Sequence, residues 1–240
     1  MTRILAVGGA VIKTALPELK VIAGRGLFNV LIHNGGSLFH DFQLATESIV
    51  GHSYPLEDLL KNPDLNRKAS ELVWKWIRNN RDDARARAAY GEKGRESILG
   101  PEGSVTRLCE TRGIRIMVFT VLGGDFWHLF DQSISDWGEF AFKTKKDFYD
   151  LCEIMRKEKE FHYICMGSAV VHPEVFTKAL AVAKPKKFRA DVVDFKMMYR
   201  EETRVSKYGK YYQNTHKEFL SNWIKCDDEG TDIFTEEKYV

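Results

Sequence analysis

The chain predicts an α/β fold built on a doubly wound, mostly parallel sheet. Three observations carry this: short apolar runs recur, each run is followed by a glycine turn, and each turn leads into a helix-period pattern. Strands that are apolar on both faces, alternating with amphipathic helices, indicate a parallel sheet covered on both sides by crossover helices. Ligands of such sheets bind beyond the carboxyl ends of the strands, which is where the glycine turns fall. The scaffold is therefore expected to be Rossmann-like and to bind a nucleotide.

The first run, Ile4–Val7, leads into Gly8-Gly9-Ala10. Residues 1–8 contain no long apolar stretch and no cleavage site, so they read as a first strand rather than a signal peptide. Phe28–Ile32 leads into Asn34-Gly35-Gly36-Ser37, and His40 and Asp41 fall one turn into the following helix. The composition shifts at about 61–103. Trp74, Trp76 and Ile77 predict a helix over Arg67–Arg78, and the charged stretch after it reads as a solvated helix or loop, or as a lid over the ligand edge. Ile114–Val121 leads into Gly123-Gly124-Asp125, and Tyr163–Met166 into Gly167-Ser168. His172-Pro173 marks a helix start with Pro173 at its first position. Lys207-Tyr208-Gly209-Lys210-Tyr211-Tyr212 reads either as a hairpin turning at Gly209 or as an aromatic setting for a reactive lysine. Residues 1–225 thus form one domain with a charged insertion, and 226–240 a poorly packed acidic tail.

Composition narrows the function. The charge is nearly balanced, with 36 basic and 34 acidic residues, so neither nucleic acid nor an acidic membrane surface is an expected partner. No apolar run approaches the roughly 18 residues that span a bilayer, and a cytoplasmic location is the default. Cys109, Cys152, Cys165 and Cys226 form no CxxC pair. Neither they nor His33, His40 and His172 have the spacing of a metal site, so none is expected. No GxxxxGK[ST] sequence and no GxSxG elbow occur, which disfavours a P-loop NTPase and a serine hydrolase. The glycine turns offer bare backbone N–H groups to a phosphate, and Ser37 adds a hydroxyl. A tight turn without a ligand would look the same at any one of them. Four in one chain favour a nucleotide.

The order of these motifs resembles deoxyhypusine synthase and its relatives. The similar segments are Arg3–Ile12 with Phe28–Asp41, Gly103–Asp125, Met166–His172 and Ala190–Val193. Val205-Ser206-Lys207-Tyr208-Gly209-Lys210 is similar to the family's Val-Ser-Trp-Gly-Lys with one residue more, and the Gly-Ser-Asp-Ser-Gly-Ala stretch that precedes it there is missing. The resemblance implies NAD held at the strand ends by Gly8, Gly9, Ala10, Asn34, Gly35, Gly36, Ser37, Gly123, Gly124, Gly167 and Ser168. Asp41 and Asp125 would hold ribose hydroxyls or a cationic amine, His172 would move protons, and Lys210 would form an imine with the substrate. It also implies a tetramer, and the aromatic residues Trp127, Phe130, Trp137, Phe140 and Phe142, which suit a subunit interface, predict a homodimer or homotetramer. The expected activity is that of a divergent NAD-dependent enzyme acting on a polyamine or an amino-acid-derived amine. An NAD-dependent deamination, similar to that of ornithine cyclodeaminases, and a non-catalytic nucleotide-binding or assembly module are the alternatives.

Overall fold

The computed structural model describes residues 1–46, 67–79, 99–120 and 134–234. Six strands form one parallel sheet: β1 (Thr2–Val7), β2 (Val30–Asn34), β3 (Arg115–Phe119), β4 (Phe161–Met166), β5 (Phe188–Asp194) and β6 (Tyr211–Gln213). Their order, β3-β2-β1-β4-β5-β6, runs outward in both directions from the centre, as the doubly wound prediction requires. The central strands β1 and β4 are buried over nearly their whole length, because helices cover both faces.

The helices follow from the sequence pattern. They are α1 (Gly9–Gly24), α2 (Gly35–Thr46), α3 (Arg67–Asn79), α4 (Val105–Thr111), α5 (Ile134–Lys157), α6 (Val171–Ala183), α7 (Tyr199–Arg204) and α8 (His216–Asp228). One face of the sheet packs Leu5, Leu31, Ile164 and Val193 against Val11, Ile12 and Leu19 of α1 and Phe219 and Trp223 of α8. The other packs Ile4, Ile32, Tyr163 and Val192 against Leu151 and Met155 of α5 and Phe176 of α6. A third cluster joins Leu38 and Phe42 of α2 to Val73, Trp76 and Ile77 of α3, so the helix expected over Arg67–Arg78 forms and buries its apolar stripe.

Three local expectations are corrected. Helix α6 begins at Val171, so Pro173 is its third residue rather than its first. No hairpin turns at Gly209: Ser206–Tyr208 is a single 3-10 turn, and Tyr211–Gln213 joins the sheet parallel to β5. Gly209 is needed because a Cβ there would lie 2.3 Å from both the Ala190 carbonyl oxygen and Asp191 Oδ1. The tail is not loose as far as Phe234: α8 continues through Asp228, Asp232 pairs with Arg3, and Phe234 is 2% exposed in the core. Among the described residues, no helix is long and apolar enough to cross a membrane.

Candidate functional site

The winding direction of the sheet reverses between β1 and β4, and the turns after these strands meet there. The Gly8 N–H donates to the Met166 carbonyl at 2.9 Å. A Cβ on Gly8 would stand 1.7 Å from the Gly167 carbonyl oxygen, so only glycine lets the two turns approach. Gly167 itself has φ +62°. A Cβ on Gly9 would meet His40 at 3.2 Å and the Gly36 carbonyl carbon at 3.5 Å, and Asn34 Nδ2 reaches Ser168 Oγ at 3.5 Å. The ends of β2, β1 and β4 therefore form one continuous edge. That edge carries Gly8, Gly9, Ala10, Asn34, Gly35, Gly36, Ser37, Gly167 and Ser168 together. Gly123, Gly124 and Asp125 lie outside the described residues, as do Trp127 and Phe130 and the side chains of Trp137 and Phe140.

The helix starts along this edge differ in what they offer a ligand. At α2 the Asn34 side chain already accepts the Ser37 N–H at 2.8 Å, so Asn34 and Ser37 serve as a cap. Helix α8 is capped by Thr215, and α4 by Ser104. Helix α1 begins after Gly8 without a side-chain cap, and Gly9 and Ala10 retain exposure. The helix is broken at Ala15 (φ −141°), so what its start offers an anion is the free N–H groups of its short first segment. On the face of the sheet opposite α1, a cavity of about 490 Å³ opens between the carboxyl end of β3 and helices α5 and α6. Phe119, Phe148 and Val175 give it apolar walls, with Thr120, Lys145 and Lys178 among its polar lining. Its size falls within the roughly 300–1,000 Å³ of small-molecule sites.

Three predicted site residues are engaged elsewhere. Asp41 is fully buried and accepts the Val105 and Thr106 N–H groups at 2.8 and 2.9 Å and the Thr106 hydroxyl at 2.7 Å. It closes the start of α4 and has no face left for a ribose. Burial pushes its carboxyl up while these bonds pull it back. His172 is also fully buried, with Nε2 bonded to the Val7 carbonyl at 2.9 Å, and burial holds it down to about 4. It ties α6 to β1 as a neutral imidazole and does not face the crevice. His33, beside it, is held down to about 3 and bonds Ser37 Oγ through Nδ1 at 2.9 Å. Lys210 sits just before β6, its N–H donating to Asp191 Oδ1 at 2.6 Å. Asp191 is three residues short of the end of β5, so the Lys210 backbone lies about 10 Å below the carboxyl edge.

The sequence reading missed a cluster of buried titratable groups at that edge. Asp194 ends β5, Glu201 lies on α7 and His216 opens α8, with exposures of 6%, 0% and 5%. His216 Nε2 lies 3.6 Å from Asp194 Oδ1, too long for a hydrogen bond. A Cβ on Gly167 would come within 3.0 Å of the His216 ring, which places the cluster directly against the β4 turn. Glu201 Oε2 accepts the Met198 N–H at 3.0 Å, whereas Glu201 Oε1 and His216 Nε2 have no hydrogen-bond partner. Burial first, and repulsion from Asp194 second, raise the Glu201 carboxyl to about 7. Only the position of Asp194, at the end of the run Ala190–Val193, could have signalled it.

No protein-family profile matches the chain, and no curated protein matches it. Solved structures do share its fold. Over 95% of this chain and 29% of the other, it superposes on ArgZ, an arginine dihydrolase of the ornithine–ammonia cycle in cyanobacteria, with TM-score 0.57 and 12% identity. AgrE, in its ternary complex with ornithine and NAD+, matches over 96% of this chain and 30% of the other, with TM-score 0.56 and 14% identity. A candidate deoxyhypusine synthase from Entamoeba histolytica matches over 98% of this chain and 78% of the other, with TM-score 0.51 and 10% identity. The chain thus spans about three-tenths of the length of ArgZ and AgrE. Its resemblance to deoxyhypusine synthase holds at the level of fold.

Proposed function

We propose that the chain is an NAD-dependent enzyme acting on a polyamine or an amino-acid-derived amine. The observation that carries this reading is the uncapped start of α1 at the reversal of the sheet, where Gly8, Gly9 and Gly167 leave the backbone bare. Phosphate oxygens of a dinucleotide would accept the N–H groups of Gly9 and Ala10. Bound NAD would supply the hydride acceptor. The fold it shares with AgrE, which binds ornithine and NAD+, supports this choice of cofactor and ligand class. Deamination without group transfer is favoured over transfer through an enzyme imine, because the register of β6 holds Lys210 back from the edge. A homodimer or homotetramer is part of the same proposal.

Ala10→Glu tests it. Ala10 is exposed in the first turn of α1, where a carboxylate suits the helix but repels a diphosphate. Calorimetry should show NAD binding weakened by about tenfold or more, with the melting temperature unchanged or slightly raised. A wild-type chain that takes up no NAD would overturn the proposal.

A further inference from the structure

The chemistry of the Asp194–Glu201–His216 cluster calls for a ligand. His216 Nε2 and Glu201 Oε1 are buried without a hydrogen bond of normal length, and the Asp194 carboxyl stands against both, 3.6 Å from His216 Nε2. Buried polar atoms left unpaired are costly, so a group able to satisfy several at once is strongly favoured there. Two carboxyls exclude an anion. Among the described residues, no group of three His, Cys, Asp or Glu is arranged to hold a metal ion. A primary ammonium carries three N–H donors, which match the His216 nitrogen, Glu201 Oε1 and an Asp194 oxygen. Asp194 and His216, with side chains 9% and 5% exposed, are the outer members, and Glu201 forms the floor. Next to them Phe195, Met198 and Tyr199 are 65%, 45% and 75% exposed, an apolar rim for whatever carries the ammonium.

We propose that Asp194, Glu201 and His216 form the seat of a primary ammonium borne on an apolar chain, which runs out over Phe195, Met198 and Tyr199. The seat adjoins Gly167, so a ligand held there lies beside the edge assigned to the dinucleotide. This deepens the amine reading and rests on it for the ligand's role as substrate. Groups facing Glu201 set its pH response. Asp194 repels its charge and the His216 ring stands beside it, while the Cys165 thiol and Tyr211 phenol are both pushed up and stay neutral. Nearby Arg200 and Arg204 are engaged with Glu174. Glu201 becomes negatively charged as pH rises through about 7.

The test uses the full chain and calorimetry with hexylammonium, hexanol and hexanoate at about pH 8, where Glu201 is ionised. Hexylammonium should bind at least about tenfold more tightly than the other two, and Glu201→Gln should remove that preference while leaving NAD affinity intact. Its binding should weaken on going from about pH 8 to about pH 6, as Glu201 takes up a proton. Should Glu201→Gln fail to fold, His216→Gln and the wild-type contrast between ammonium and alcohol decide the matter. Equal binding of hexylammonium and hexanol, no binding, or an unchanged preference in the variant overturns the inference. Ammonium binding in a chain that takes up no NAD would overturn the dinucleotide proposal and leave the seat standing.

Discussion

Asp41 joins two helices that are distant in sequence, since its carboxylate holds the first two N–H groups and a hydroxyl of α4 while it sits on α2. Removing it strips three hydrogen bonds from a buried helix start, so Asp41→Ala should cost about 3 kcal/mol in urea unfolding. The folded variant should keep the NAD affinity of the wild type. A selective loss of affinity with normal stability would return Asp41 to the ribose. That its partner lies more than sixty residues away explains why the sequence could not separate these roles. His172 poses the same difficulty. A histidine at a helix start after a glycine turn looks available for chemistry, and only the tertiary fold shows Nε2 bonded to Val7. The glycines were legible as turns but not in full as to cause: Gly8 is required by the Gly167 backbone, a contact between strands β1 and β4.

At the scale of elements, the strands read most clearly where they are buried on both faces, because an unbroken apolar run such as Phe161–Met166 has few other ways to be satisfied. Strand β6 is the opposite case. Its three residues are half-buried or exposed, and Tyr-Tyr-Gln after a glycine carries no mark that distinguishes a parallel edge strand from a hairpin arm. The segment after α8 was hidden by its acids, which mask a single anchor. Phe234 packs against Trp223 and Tyr212, and its ring stands edge-on to His162 at 4.5 Å. Its carbonyl accepts from Arg189 Nη1 at 2.9 Å, and the Arg189 guanidinium in turn pairs with Asp191 at 2.8 Å. Asp191 also holds His162 at 2.9 Å, so the anchor covers a fully buried ionic network. Phe234→Ala should cost about 3–5 kcal/mol and expose Trp223 to water. A red shift of tryptophan fluorescence together with a lowered urea midpoint would report it. A variant as stable as wild type would show that the anchor contributes nothing.

Across the whole molecule, the two histidines flanking the end of β1 couple the fold to pH. His33 and His172 are both fully buried and are held down to about 3 and about 4 from the ordinary 6.5. Above pH 6.5 the folded and unfolded chains both carry neutral imidazoles, so neither residue penalises folding. As the pH falls below that value, only the unfolded chain takes up the protons, and stability is lost until the folded values are reached. Each histidine contributes a slope of about 1.4 kcal/mol per pH unit in that window. Glu201 acts in the opposite direction. Raised from 4.5 to about 7, it keeps its proton in the folded chain, and stability falls as pH rises between those values. The wild-type slope near pH 5 to 6 therefore mixes both signs with those of other buried groups, and comparison with a variant isolates one residue. His172→Gln keeps a donor that can reach the Val7 carbonyl but removes the titration. Its urea-unfolding free energy, followed from about pH 7 to about pH 4.5, should fall less steeply on acidification than that of wild type, by about 1.4 kcal/mol per unit. Parallel curves would mean that the folded chain protonates His172 as readily as the unfolded one. The bond to Val7 and the packing of α6 onto the sheet reversal would then have to be open to solvent in the native state.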